Sequence, residues 1–269
     1  MPIIDLHTHS RYSDGTSNPA DVVRLAKNAG VQLFVLSDHD TTNGWAEAKA
    51  EADAIGLDIR PGIEINTISD AVHLLGYGID PENEFLQGRL EEFRSRRRRR
   101  ISAIVDRLNL EAGLKLNFDE IQSLAGHTVG RPHIADALRR QKVVGSRREA
   151  FERFLVKGKP GYVDPLGPTV TEAIEAIRGA GGFAVLAHPG LLRDGSLKLE
   201  EWVPQGLAGI EAYYLNHKNS TTREFLEYAD DWQILATGGS DYHGPGSGRE
   251  KIGGVEVSED LFKILQERL

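Results

Sequence analysis

The 269-residue chain contains no cysteine, which excludes disulfides and thiolate metal ligands and leaves imidazole and oxygen groups to carry any metal site. No stretch of about eighteen apolar residues occurs, and no basic segment followed by an apolar run opens the chain, so neither a membrane span nor a secretory leader is indicated. A soluble, cytoplasmic protein is predicted. Internal repeats and low-complexity linkers are also missing. The length suits one large α/β domain or one domain carrying an insertion.

Charge is unevenly placed. The formal net charge is −8, but the segment from Phe85 to Pro160 holds 18 Lys/Arg against 9 Asp/Glu, and the remainder 14 against 31. A run such as Arg96 to Arg100 is ordinarily a solvated helix face. Beside an active site, a basic lobe would instead concentrate an anionic substrate, and phosphate is the natural candidate.

Outside 85–160, apolar runs alternate with helical patterns as a parallel sheet requires. Strands are predicted at 3–6, 32–36, 58–65, 71–77, 183–187, 208–214 and 233–236, with a last strand and helix in 252–268. Helices are predicted at 19–29 (stopped by Gly30), 43–55 (capped by Thr41, Thr42 or Asn43 and closed by Gly56), 169–179 and 218–230. The fold expected is α/β, a distorted seven-stranded (β/α) barrel formed by 1–84 and 161–269. Residues 85–160 show no convincing strand and read as an inserted, small, all-helical basic lobe, with helices at 85–113, 118–125, 132–141 and 146–155.

Four strands end in potential metal ligands. Asp5-Leu6-His7-Thr8-His9-Ser10 follows the first; on an extended backbone two imidazoles one residue apart point the same way and form a pincer. Ser37-Asp38-His39-Asp40, His188-Pro189 and Gly239-Ser240-Asp241-Tyr242-His243 follow three more. In such sheets, residues beyond the carboxyl ends of the strands converge on one face. His7, His9, His39, Glu64, His188, Asp241 and His243 hold such positions; Asp14 lies in the first loop, and His73 sits inside its strand. Gathering nine such groups without cations would cost heavily in desolvation and repulsion, and nine ligands call for two or three ions, with Glu64 a natural bridge. Ions so grouped make hydroxide available near neutral pH and clamp phosphoryl oxygens, which points to phosphoester hydrolysis.

These motifs, with Gly62-Ile63-Glu64 and Val72-His73-Leu74-Leu75-Gly76-Tyr77, run through nearly the whole chain, which resembles the PHP (polymerase and histidinol phosphatase) family. The resemblance implies a trinuclear site at the barrel mouth, commonly of manganese, iron or zinc. Asp14 stands where some members carry a histidine, which favours manganese. The Ser13-Asp14-Gly15-Thr16 loop, Gly130-Arg131-Pro132-His133-Ile134-Ala135 and the Gly181 to Pro189 segment resemble the branch of 3′,5′-nucleoside bisphosphate phosphatases and 5′-to-3′ exoribonucleases acting on short RNA. The expected reaction is removal of the 3′-phosphate of a nucleoside 3′,5′-bisphosphate, for example adenosine 3′,5′-bisphosphate to AMP and phosphate, by a metal-bridging hydroxide. Asp241 and His243 count as catalytic as well as ligating, and His217 is the candidate donor of a proton to the leaving oxygen. Arg131 and His133, at a helix start, and Arg99 and Arg100 are candidates for the phosphate not cleaved. Trp45, Trp202, Trp232, Tyr213, Tyr214 and Tyr242 are candidates for base stacking. A small nucleotide, or short RNA, is the expected partner, with no duplex DNA and no membrane. Alternatives are exoribonuclease action on short RNA, another phosphomonoesterase such as histidinol phosphatase, and a non-catalytic nucleic-acid-binding PHP module. Metal-dependent C–N hydrolysis fits less well, since no lysine stands at a strand end.

Overall fold

A computed structural model describes the chain except residues 69–71 and 193–194; the start of the strand expected at 71–77 therefore lies outside the described residues. The elements run β1 (Ile3–Asp5), α1 (Pro19–Asn28), β2 (Leu33–Leu36), α2 (Trp45–Ile55), β3 (Asp58–Asn66), β4 (His73–Tyr77), α3 (Glu84–Glu111), α4 (Phe118–Leu124), α5 (Arg131–Arg140) and α6 (Arg147–Ala150), which a π-helical turn continues over Phe151–Leu155. Then come α7 (Val170–Gly179), β5 (Phe183–Leu186), α8 (Leu199–Trp202), β6 (Leu207–Tyr214), α9 (Asn219–Asp231), β7 (Leu235–Gly239), β8 (Val255–Glu256) and α10 (Glu259–Arg268).

The strands form one curled sheet in the order β7-β6-β5-β4-β3-β2-β1-β8. Beyond β1 the chain meets β7 again: Leu6 N–H donates to Gly238 O at 3.1 Å and Asp241 N–H to His7 O at 2.8 Å. Those bonds nearly close the barrel, leaving the two-residue β8 antiparallel on β1. Gly239 permits this closure, because a Cβ there would lie 2.4 Å from His7 Cβ. The distortion comes from β4, which runs antiparallel to both β3 and β5. Ile4, Leu6, Leu33, Val35, Leu75, Tyr77 and Val185 belong to one buried cluster, as expected for strands covered on both faces.

Helix ends follow local chemistry. Gly56 adopts a left-handed conformation (φ 66°) and terminates α2. The start of α2 differs from expectation: Gly44 occupies the N-cap and no side chain caps it, while Thr42 donates to Pro81 O and Thr41 Oγ1 accepts from Asn43 N–H. Along α3, Leu86, Leu90 and Phe93 pack in the cluster that includes Ile174 and Ile177 of α7. Its later residues Ile101, Ile104, Val105 and Leu108 join Ile134, Leu138 and Leu155 in a separate cluster. One continuous helix thus ties the helical region to the barrel, over the strand ends.

Candidate metal centre and phosphate cavity

All nine residues expected to hold metal lie together at the carboxyl-end mouth of the barrel. Glu64, on β3, sits at the centre. Its Oε2 is 3.1 Å from His7 Nε2, 3.0 Å from His9 Nε2 and 3.1 Å from His39 Nδ1. Its Oε1 is 2.8 Å from His73 Nδ1 and 3.2 Å from His188 Nε2. Asp241 Oδ1 lies 3.3 to 3.5 Å from His243 Nδ1, His9 Nε2 and His7 Nε2. Asp14 Oδ1 is 3.1 Å from His243 Nε2. Two of the ligand-bearing residues, His188 (φ 30°) and Asp241 (φ 55°), adopt left-handed backbone conformations without being glycine, a strain found mainly where surrounding structure and function impose it.

The donor atoms fit divalent cations. Atoms each about 2.1 Å from a common ion stand roughly 3.0 to 3.4 Å apart, and His7 Nε2, His9 Nε2 and Glu64 Oε2 lie 3.0 to 3.1 Å from one another. Among the described residues, four sets of side chains bring one ligand atom each to within 4.8 Å of one another, among them His9, Asp14, His39 and His243, and Glu64, His73 and His188. Asp14 Oδ1, Asp241 Oδ1, His9 Nδ1 and His188 Nδ1 are buried without a hydrogen-bond partner, which native proteins rarely tolerate.

Electrostatics agree. Burial raises the Glu64 carboxyl, but His39, His7 and His73 outweigh it and hold the group well below the usual carboxylate range. Asp241 is likewise lowered despite burial, by Arg249, His7 and His243. Burial opposes charge on His9, yet Asp241 and Glu64 raise it to about 9, and Glu211, Glu64 and Asp241 raise His7. Without cations, then, these carboxylates are balanced by protons on imidazole, and metal uptake must release those protons. His9, whose ordinary value is 6.5, contributes stability below that pH in the metal-free protein and loses it as pH rises through about 9. The melting temperature of chelator-treated protein should fall across this interval, while metal affinity rises; a flat melting profile would contradict the assignment.

Several residues that support the centre are not among the expected ligands. Glu211, fully buried on β6, accepts from His7 Nδ1 at 3.0 Å and from His188 N–H at 2.6 Å. The first bond fixes the His7 tautomer and leaves Nε2 a lone pair toward Glu64. A single carboxylate inside the apolar run Leu207 to Tyr214 was its signal. Arg249 Nη1 donates to Asp241 Oδ2 at 2.6 Å, and Tyr214 OH donates to the same oxygen at 3.0 Å, so Oδ1 is the atom turned to the cluster. Asp38 holds the loop that carries Asp14 through Ser10 and Ser13. Asp5, pushed up to about 6 chiefly by burial, accepts from Ser240 and Gly253 and fastens β1 to the segment before Asp241.

The other expectations divide. The cluster opens into a cavity of about 390 Å³ lined by Arg97, Arg100, Arg131, Arg147 and Arg249, among others. Arg99 does not line it and is exposed, because consecutive arginines on a helix fan round its axis; Arg97 does, paired with Asp40 at 2.6 Å. Arg100 lines the cavity, with its guanidinium also donating to Val163 O. His133 is buried outside the cavity and caps its own helix, Nδ1 accepting from Gly130 N–H at 3.0 Å. None of the six tryptophans and tyrosines expected to stack reaches the cavity wall, where Phe93 and Phe151 stand instead; Trp202 and Tyr242 are core residues. His217 does not line the cavity either. Its Nδ1 donates to Ala212 O and its Nε2 accepts from Gly190 N–H, so both nitrogens are committed and neither carries a proton toward the cluster. His217→Asn should leave metal content unchanged and reduce turnover by less than about 10-fold, below the range typical of a general acid; a larger loss at full metal content would restore that role.

The sequence matches the PHP domain over residues 5–158. It is 35% identical over 281 residues to a 3′,5′-nucleoside bisphosphate phosphatase of Chromobacterium violaceum, covering 100% of this chain and 98% of that one. It is 32% identical over 252 residues to the 5′-3′ exoribonuclease Rnm of Escherichia coli, covering 90% and 86%. A solved structure described as a metal-dependent phosphoesterase of Bifidobacterium adolescentis superimposes with a TM-score of 0.87 at 32% identity, covering 98% of this chain and 95% of that one. The chain belongs to the PHP family and is a metal-dependent phosphoesterase. No helix among the described residues is long and apolar enough to cross a membrane.

Proposed function

We propose that the enzyme removes the 3′-phosphate of nucleoside 3′,5′-bisphosphates, yielding a nucleoside 5′-phosphate and inorganic phosphate. The observation that carries this reading is a cavity that joins a nine-ligand cluster to a wall of guanidinium groups, more than one phosphate requires. The bisphosphate phosphatase of Chromobacterium violaceum supports it.

His7, His9, Asp14, His39, Glu64, His73, His188, Asp241 and His243 are assigned as ligands for two or three divalent ions. Manganese is the proposed metal, since three carboxylates and no sulfur favour a harder ion. Bound there, the ions supply a water of lowered pKa and positive charge for the phosphoryl oxygens. The chain's own contribution is positioning. Arg249, anchored on Asp241 beside the cluster, faces the phosphate to be cleaved. Arg131 and Arg147 on the lobe side hold the second phosphate; Arg147 is fixed by Asp136 and by donation to Asp14 O at 3.3 Å. Phe93, Ile101, Phe151 and Leu166 give the sugar and base an apolar wall. Asp241 and His243 take part in the reaction as ligands.

With manganese supplied, phosphate release from adenosine 3′,5′-bisphosphate should exceed that from 5′-AMP and from histidinol phosphate at least about 100-fold in kcat/KM, since neither of the latter brings a second phosphate to Arg131 and Arg147. Comparable rates on all three would contradict the assignment.

A further inference from the structure

Asp14 is the one proposed ligand far from a strand: it lies nine residues beyond β1, whereas the other eight are in a strand or within four residues of a strand end. Its placement must come from whatever grips its loop. On the barrel side Asp38 binds Ser10 and Ser13, and Thr16 N–H donates to His243 O at 2.9 Å. The helical region supplies a second grip. His127 N–H donates to Tyr12 O at 3.0 Å, with the two rings stacked 5.3 Å apart. A Cβ on Gly126 would lie 2.2 Å from Arg11 O, so the two backbones meet with no room for a side chain. Arg147, on α6, reaches Asp14 itself, Nη1 donating to Asp14 O at 3.3 Å. Its Nε and Nη2 donate to Asp136 of α5 at 2.9 and 2.5 Å, which fixes the guanidinium. These bonds engage one N–H on each nitrogen, and the fork keeps a second N–H on each Nη for a phosphate in the cavity that Arg147 lines.

We infer that Arg147 is a positioning residue that links the second phosphate to one ion of the centre. The ion concerned is the one assigned to His9, Asp14, His39 and His243, a set in which Asp14 is the one carboxylate and its buried Oδ1 has no hydrogen-bond partner. The inference rests on the cavity holding a phosphate that is not cleaved. A phosphate on the guanidinium restrains the same side chain that holds the Asp14 carbonyl, and its negative charge offsets a positive charge next to the cation. Both effects act in one direction. Phosphate and ion therefore favour each other, and by linkage each must tighten the other by the same factor.

The test titrates manganese into chelator-treated enzyme with and without saturating 5′-AMP, reading free manganese by electron paramagnetic resonance and AMP affinity by calorimetry. In the wild-type enzyme AMP should tighten one ion by about 10-fold, within the usual range of such couplings, and that ion should tighten AMP equally. Arg147→Met should weaken the same ion by about 10-fold without nucleotide, as loss of an outer partner does, leave the other ions within about two-fold, and abolish the effect of AMP. Arg131→Met should bind AMP more weakly yet keep the coupling, because Arg131 lines the cavity without bonding the Asp14 loop. Arg147→Lys keeps the charge and a partner for Asp136 but has a single nitrogen in place of the fork; it should melt like the wild type and still lose the coupling, which decides the matter should Arg147→Met not fold. Equal tightening by AMP in wild type and a folded Arg147 variant, or manganese affinities unchanged by the substitution, overturns the inference. AMP that fails to bind the wild-type enzyme would remove the second-phosphate site of the proposed reaction and the linkage with it, while the nucleotide-free titration of Arg147→Met still decides whether Arg147 places Asp14.

Discussion

Replacing Glu64 with alanine should reduce phosphoesterase activity by on the order of 10³-fold or more and leave the enzyme unable to retain its full complement of ions. Among the described residues no other side chain touches so many of the cluster: five imidazoles lie within 3.2 Å of its two oxygens. Without it, the two sides of the site lose the group that joins them, and excess metal should not restore turnover. Circular dichroism and elemental analysis of the variant separate this outcome from misfolding. A Glu64→Ala enzyme that is folded, fully loaded with metal and active within about 10-fold of wild type would remove Glu64 from the centre.

Glu211→Ala should behave differently. Glu211 approaches the cluster through His7 Nδ1 and the backbone of His188, so its loss frees the His7 tautomer and loosens the left-handed turn at His188 without deleting a ligand. Outer partners of this kind typically contribute 10- to 100-fold in metal affinity. Activity of Glu211→Ala should accordingly be low at limiting metal and recover at saturating metal, with the midpoint of the metal titration displaced by about that factor. The conservative variant Glu211→Gln, which can still accept from His7, should be displaced less. A kcat defect that persists at saturating metal would make Glu211 part of the reaction itself rather than a positioning residue.

The contrast between these two carboxylates shows what the sequence could reveal. Glu64, the H-x-H pair and the Asp241-Tyr242-His243 segment sit at strand ends, where period-two alternation and parallel-sheet topology decide the direction of a side chain. Convergence of the nine residues was therefore legible from order and spacing alone. Glu211 reaches the same centre from within a strand, and its role depends on β6 lying beside β5 and near β1, a tertiary relation that alternation does not encode. Arginines were harder still. Arg97, Arg147 and Arg249 reach the cavity because of helix phase, a lobe contact and a glycine-rich loop in turn, whereas Arg99, two residues from Arg97, faces solvent. His217 misled because a histidine after a strand is ambiguous until both ring nitrogens are seen to be bonded. The same limit applied to the cap of α2, where three good capping residues precede a helix that begins after Gly44.

The central claim, that one pocket gathers widely separated imidazoles and carboxylates around several cations, is tested most directly by counting ions in the purified enzyme. Elemental analysis after reconstitution with manganese and removal of loosely bound metal should return two or three ions per chain, with activity rising in proportion to occupancy. One ion or fewer per chain in fully active enzyme would contradict the account.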